Sequence, residues 1–116
     1  MKDVSEELTK IEFERKQLKE FIERNEAFQR LKNNPDFKLV ILDWFLEKEA
    51  IRLVHLQGTP GASADVTDKS VVRQLTAISG LAEKFRMIEN LGNTAKYDLM
   101  ALEQTQEEIL TESEAV

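Results

Sequence analysis

The chain has 116 residues, 41% of them apolar and 33% charged, with no cysteine and a net charge of −6. That length allows one domain with one modest core, and the absence of thiols excludes disulfides and thiolate metal sites. Residues 1–96 carry 16 acids and 16 bases, so the body has no broad basic field to hold phosphates, and direct nucleic-acid binding is not expected.

The first predicted element runs from about Ser5 to Asn33. Ser5 reads as its cap, with Glu6 and Glu7 in the first turn, where acids suit the helix dipole. Val4, Leu8, Ile11, Leu18 and Ile22 fall three and four apart, the spacing of one helix face. Arg15 interrupts that stripe where a seventh-residue repeat would place an apolar side chain. Phe21, Phe28 and Leu31 continue on a shifted face. Glu12 to Lys16, Glu20 to Arg24 and Glu26 to Arg30 place an acid four residues before a base, the favourable order. A helix of about 28 residues would be roughly 42 Å long, more than a domain of this size is wide. The expectation is a coiled-coil-like arm that projects in part and binds a protein partner through Leu8, Ile11, Leu18, Phe21, Ile22 and Phe28. Whether it packs on its own chain or on another stays open.

Asn33-Asn34-Pro35-Asp36 reads as a break and restart. Proline cannot continue the first helix and suits the first turn of the next, with Asn34 as the cap. The second element, 34–57, carries apolar residues around most of its circumference, from Phe37 and Leu39 through Trp44 and Phe45 to Leu53, Val54 and Leu56. Such a helix is expected at the centre, covered on several sides. Gly58 reads as its left-handed cap and 58–64 as a surface loop.

Asp65 or Thr67 caps the third element, 65–92, whose Val71, Val72, Leu75, Ile78, Leu81, Phe85, Ile88 and Leu91 keep a regular three-four pattern. Gly80 inside it points to a close helix crossing. Gly92-Asn93-Thr94 reads as a helix stop and new cap. The fourth element, 93–112, has Ala95, Leu99, Leu102 and Ile109, with Gln106 in the stripe. After Lys96 come six acids and no Lys or Arg, so the whole negative excess lies there. Two readings stand for it: a solvated, fraying helix end, or an anionic arm that docks on a basic partner.

The sequence offers little to chemistry. The one histidine, His55, lies in Leu53-Val54-His55-Leu56 and reads as a partly buried core or interface residue. No acid sits at a metal-ligand spacing from it. Glu103, Glu107 and Glu108 share a face that reads as solvated, and Gly58-Thr59-Pro60-Gly61 lacks the Gly-Lys-Ser/Thr ending of a phosphate loop. No catalytic, cofactor-binding or metal residue is expected. Trp44, Phe45, Met87 and Met100 read as core or rim. No basic-then-apolar start marks a signal peptide, and no apolar run is long enough to span a bilayer.

Arg30-Leu31-Lys32-Asn33-Asn34-Pro35-Asp36-Phe37-Lys38-Leu39-Val40-Ile41, then Glu49-Ala50-Ile51-Arg52-Leu53-Val54, Ile78-Ser79-Gly80-Leu81 and Ile88-Glu89-Asn90-Leu91-Gly92, resemble small helical proteins of tailed bacteriophages, some of them virion components. The resemblance spans roughly residues 28–95, contains no catalytic motif and transfers no functional residue. It implies a non-enzymatic, virion-associated role, in a virion or the host cytoplasm.

The expected fold is all-α, a three- or four-helix bundle with a long N-terminal helix, in one domain spanning 1–116. The expected function is structural or assembly work through helix faces, as a homo-oligomer or within a larger complex. No small-molecule substrate, cofactor or membrane is involved. The alternative is a small acidic regulator of a host protein whose C-terminal end imitates nucleic acid. An enzyme is a third reading, disfavoured because no matched acid–base set is present.

Overall fold

A computed structural model describes residues 4–57 and 68–114. The fold is all-α. Every described residue except Asn33 and Asn34 is helical. The elements are α1 (Val4–Lys32), α2 (Pro35–Phe37), a π-helical segment (Lys38–Lys48), α3 (Glu49–Gln57) and α4 (Asp68–Glu114). The expected loop at 58–64, the Gly58 cap and the caps at Asp65 or Thr67 lie outside the described residues. Helix α1 already includes Val4, so Ser5 is not its cap; its carbonyl accepts from the Thr9 hydroxyl at 2.8 Å instead.

The break after α1 follows the local chemistry of Asn34-Pro35. The Asn34 side chain accepts from the backbone N–H groups of Asp36 and Phe37, at 3.0 and 3.1 Å, and Pro35 begins the next helix. These bonds satisfy two of the donors that a helix start leaves open. Upstream, the N–H groups of Asn33 and Asn34 close on the carbonyls of Arg30 and Leu31.

The helix stop expected at Gly92-Asn93-Thr94 is not there. Helix α4 passes through without interruption, so the expected elements 65–92 and 93–112 are one helix of 47 residues. The reason lies across the chain. A β-carbon at Gly92 would collide with the Asn25 Cβ and stand 2.9 Å from its Cγ. Helices α1 and α4 lie close together at Gly92, where a side chain would run into Asn25. Gly80, expected at a crossing, has nothing within 4 Å of the place its β-carbon would take.

The described residues divide between two units. One comprises 4–27 with 88–114, the other 28–57 with 68–87. In the first, α1 and the C-terminal half of α4 run antiparallel. Arg15 Nη2 lies 3.7 Å from Glu103 Oε1, and Asn25 contacts Gly92 and donates to Asn93 Oδ1 at 3.5 Å. Leu8, Ile11, Arg15, Leu18, Ile22 and Asn25 form the covered face of α1. Ile88, Gly92, Ala95, Leu99, Leu102, Gln106 and Ile109 form that of α4. Both faces advance by alternating threes and fours, the pattern of paired coiled-coil helices.

In the second unit, Leu53, Val71 and Ile78 are buried together, with Phe45, Leu46, Ala50, Leu56 and Leu75 against them. Phe28 stacks on Phe85 with ring centroids 4.8 Å apart, and Phe37 meets the same ring edge-on at 5.9 Å. Offset and edge contacts of this kind add to the burial of the rings.

Candidate interaction surface

The six residues expected to hold a partner are largely engaged within the chain. Ile11 and Phe28 are buried, and Leu8, Leu18, Phe21 and Ile22 are half-buried. Leu18 and Phe21 line a groove completed by Asp98 and Leu102 of α4. The sequence shows an apolar face on α1 but not what lies opposite, and hence points to a projecting stripe. The continuous α4 supplies the opposite face. Glu12, expected to pair with Lys16, bonds Arg15 at 3.2 Å.

Residues 35–57 correct the other expectation. Coverage on several sides is expected of this helix, yet its π-helical segment contains no buried residue. Leu39 is 63% exposed, Val40 51%, Trp44 49%, Ile51 54% and Val54 55%. His55 is exposed as well, not partly buried. Met87 and Met100 lie at the surface.

The geometry follows from the winding. The inward positions are Phe37, Ile41 and Leu42, Phe45 and Leu46, Glu49 and Ala50, Leu53 and Leu56. They recur every four residues, slower than the turn of about 3.6 in an α-helix. The wider π coil, bonded from residue i to i+5, takes more residues per turn than an α-helix, the direction that this longer spacing requires. The exposed side of the same stretch holds Leu39 and Val40, Trp44, Glu47 and Lys48, Ile51 and Arg52, then Val54 and His55, with half-buried Asp43 at its margin. Apolar circumference, which in the sequence suggests burial, is here divided between an inward row and an outward one. The available signal was the charge pattern. Glu47, Lys48 and Arg52 share the exposed side with Trp44 and Ile51, and three charges on one side do not go into a core.

Glu49 is the acid on the inward side. It is held by Arg52, whose Nε donates to Oε1 and Oε2 at 3.2 and 3.1 Å and whose Nη2 also donates to Oε1. The hydrogen bonds from Arg52 depress the Glu49 pKa below the ordinary glutamate range. Burial opposes that shift, and the nearby positive charge adds to it. The Arg52 pKa is raised by the same bonds. Two-pronged contact of this kind fixes both side chains.

The remaining surface offers no enclosed site at the depressions lined by Glu12, Phe13, Lys16, Lys19 and Glu23, by Val72, Thr76, Ser79 and Glu83, and by Gln104, Glu108 and Glu112. Each is walled by one helix only. Among the described residues, no group of three or more His, Asp or Glu side chains converges as a metal site would need. No described helix is long and apolar enough to cross a membrane.

Comparison with family models, curated proteins and solved structures finds no match for this chain.

Proposed function

We propose that this protein is a non-enzymatic assembly protein that works by helix-mediated self-association. The observation that carries the reading is the outward row of the 35–57 helix: five large apolar side chains, each about half exposed or more, on one continuous element. Single exposed apolar residues are ordinary, but a contiguous patch marks an interaction surface. The row sets aromatic and branched side chains, Val40 and Trp44 on one side and Ile51 and Val54 on the other, around a charged middle formed by Glu47 and Lys48. The phage resemblance would put such assembly in a virion; the support for that placement is the sequence pattern alone.

The test is the mass in solution over a wide range of protein concentration, by sedimentation. Trp44 is the chain's single tryptophan, so its emission reports directly on the patch. Association should move that emission to shorter wavelength as the indole leaves water. A monomer at every concentration, with invariant Trp44 emission, refutes the proposal.

A second reading follows from α4 running on to Glu114. Asp98, Glu103, Glu107, Glu108, Glu112 and Glu114 lie on a formed helix, the rigid array that an acidic regulator would present to a basic host protein. It predicts binding to such a protein that weakens steeply with salt.

A further inference from the structure

The charges along the outward row change sign at its middle. Toward the C-terminus, half-buried Asp43 and exposed Glu47 come first, and exposed Lys48 and Arg52 follow. The apolar members sit on either side of that midpoint, Val40 and Trp44 before it and Ile51 and Val54 after it. Such a row is complementary to its own reverse. From this we infer that the occupant of the face is a second copy of the same chain, docked antiparallel about a two-fold axis between Glu47 and Lys48.

In that arrangement Glu47 lies opposite the second copy's Lys48, and the contact is made twice. Trp44 lies opposite Ile51, so each indole covers a branched side chain. Asp43 lies opposite Arg52, whose guanidinium already holds Glu49 and whose side chain is 56% exposed. Val40 comes level with Val54 and His55. A parallel pairing would set Glu47 against Glu47 and Lys48 against Lys48, which like-charge repulsion disfavours. Two-fold contacts are self-complementary by construction, and a row antisymmetric in charge meets that condition only in the antiparallel sense.

The area is sufficient for such a contact, with little to spare. At roughly 100 Å² for each half-exposed side chain, Val40, Trp44, Ile51 and Val54 supply about 400 Å² per copy, which the stems of Glu47, Lys48 and Arg52 bring to about 500 Å². Two copies then bury about 1,000 Å², the lower bound for a specific interface. The dimer is therefore weak and reversible, with a dissociation constant on the order of micromolar.

The inference rests on the self-association proposed above, and the experiment separates the two. E47K and K48E each set like charges opposite one another at two symmetric places. Each variant alone should self-associate about tenfold more weakly than the wild type, or worse. The double variant E47K/K48E restores opposite signs and should recover the wild-type constant. An equimolar mixture of E47K and K48E should also associate, because each chain then meets its complement. Both positions are exposed, so helicity and thermal midpoint should not change. Sedimentation and Trp44 emission are followed for the wild type, the three variants and the mixture. Wild-type association that neither single variant weakens overturns the antiparallel pairing and leaves self-association standing. A mixture that fails to associate overturns the pairing in the same way. A wild-type chain that stays monomeric overturns both.

Discussion

Replacing Gly92 with Ala sets two known effects against each other. Glycine inside a helix costs about 1 kcal/mol relative to alanine, so the exchange alone should stabilise α4. The new β-carbon, however, would collide with the Asn25 Cβ and stand 2.9 Å from its Cγ. No rotamer of Asn25 relieves a contact with its own Cβ, so the helix backbones must separate. Overpacking of that kind costs about 1–3 kcal/mol. The net for G92A is therefore between no change and about 2 kcal/mol of destabilisation. G80A is the control. It has the same helix gain and open space around the new carbon, so it should stabilise by about 1 kcal/mol. The two alanine variants should thus differ by about 1–3 kcal/mol, measured as a difference in urea midpoint at unchanged slope. In an N25G background, which removes the opposing Cβ, the Gly92→Ala step itself should lose most of its cost. If G92A is at least as stable as G80A, the close approach of α1 and α4 at this point is wrong.

Four further outcomes are expected. L53A, at a side chain 1% exposed in the buried cluster with Val71 and Ile78, should cost about 2–5 kcal/mol by thermal or chemical denaturation. Glu49 has a depressed folded pKa. Its contribution is therefore complete at neutral pH, begins to fade as pH falls into the ordinary glutamate range, and is gone below the folded value; the stability gap between wild type and E49Q should shrink over that interval, and a constant gap would refute it. Deleting residues 97–116 strips the cover from Leu8, Ile11 and Leu18, and backbone amides of 5–20 should lose hydrogen-exchange protection while those of 45–56 keep it. R15L places an apolar side chain in a seam otherwise lined by Ile11, Leu18 and Ile22; since Glu103 is exposed enough to stay solvated, the variant should gain stability, by up to about 1 kcal/mol.

Local chemistry is legible in the sequence, and long-range geometry is not. Asn34-Pro35 announces a cap and restart because every group involved lies within three residues. The stripe of Leu8, Ile11, Leu18 and Ile22 is likewise visible as one face, as is that of Ala95, Leu99, Leu102 and Ile109. The two glycines show where such legibility stops. A helical glycine is equally consistent with a terminus, a crossing or nothing, and the choice depends on a residue far away in sequence. Gly92 meets Asn25, and Gly80 meets open space. The outward row of 35–57 escapes the sequence for another reason. An α-helical wheel assigns burial by the wrong period here, because the π coil between Lys38 and Lys48 changes which residues share a side. Arg15 is visible as an interruption, but its partner Glu103 belongs to a stretch whose composition suggests a solvated acidic end.

The polar members of the α1–α4 seam act as a key. Imagine α1 sliding along α4 by one heptad in either direction. Most apolar residues would meet apolar residues again, since Leu8, Ile11, Leu18 and Ile22 on one face and Ile88, Ala95, Leu99, Leu102 and Ile109 on the other keep the same three-four spacing. Arg15 would lose Glu103, and Asn25, which is 5% exposed, would leave the one slot with no β-carbon and press its amide against a helix too close to admit it. A uniformly oily seam would tolerate several alignments of the two helices; Arg15 and Asn25 favour the one in which they meet Glu103 and Gly92.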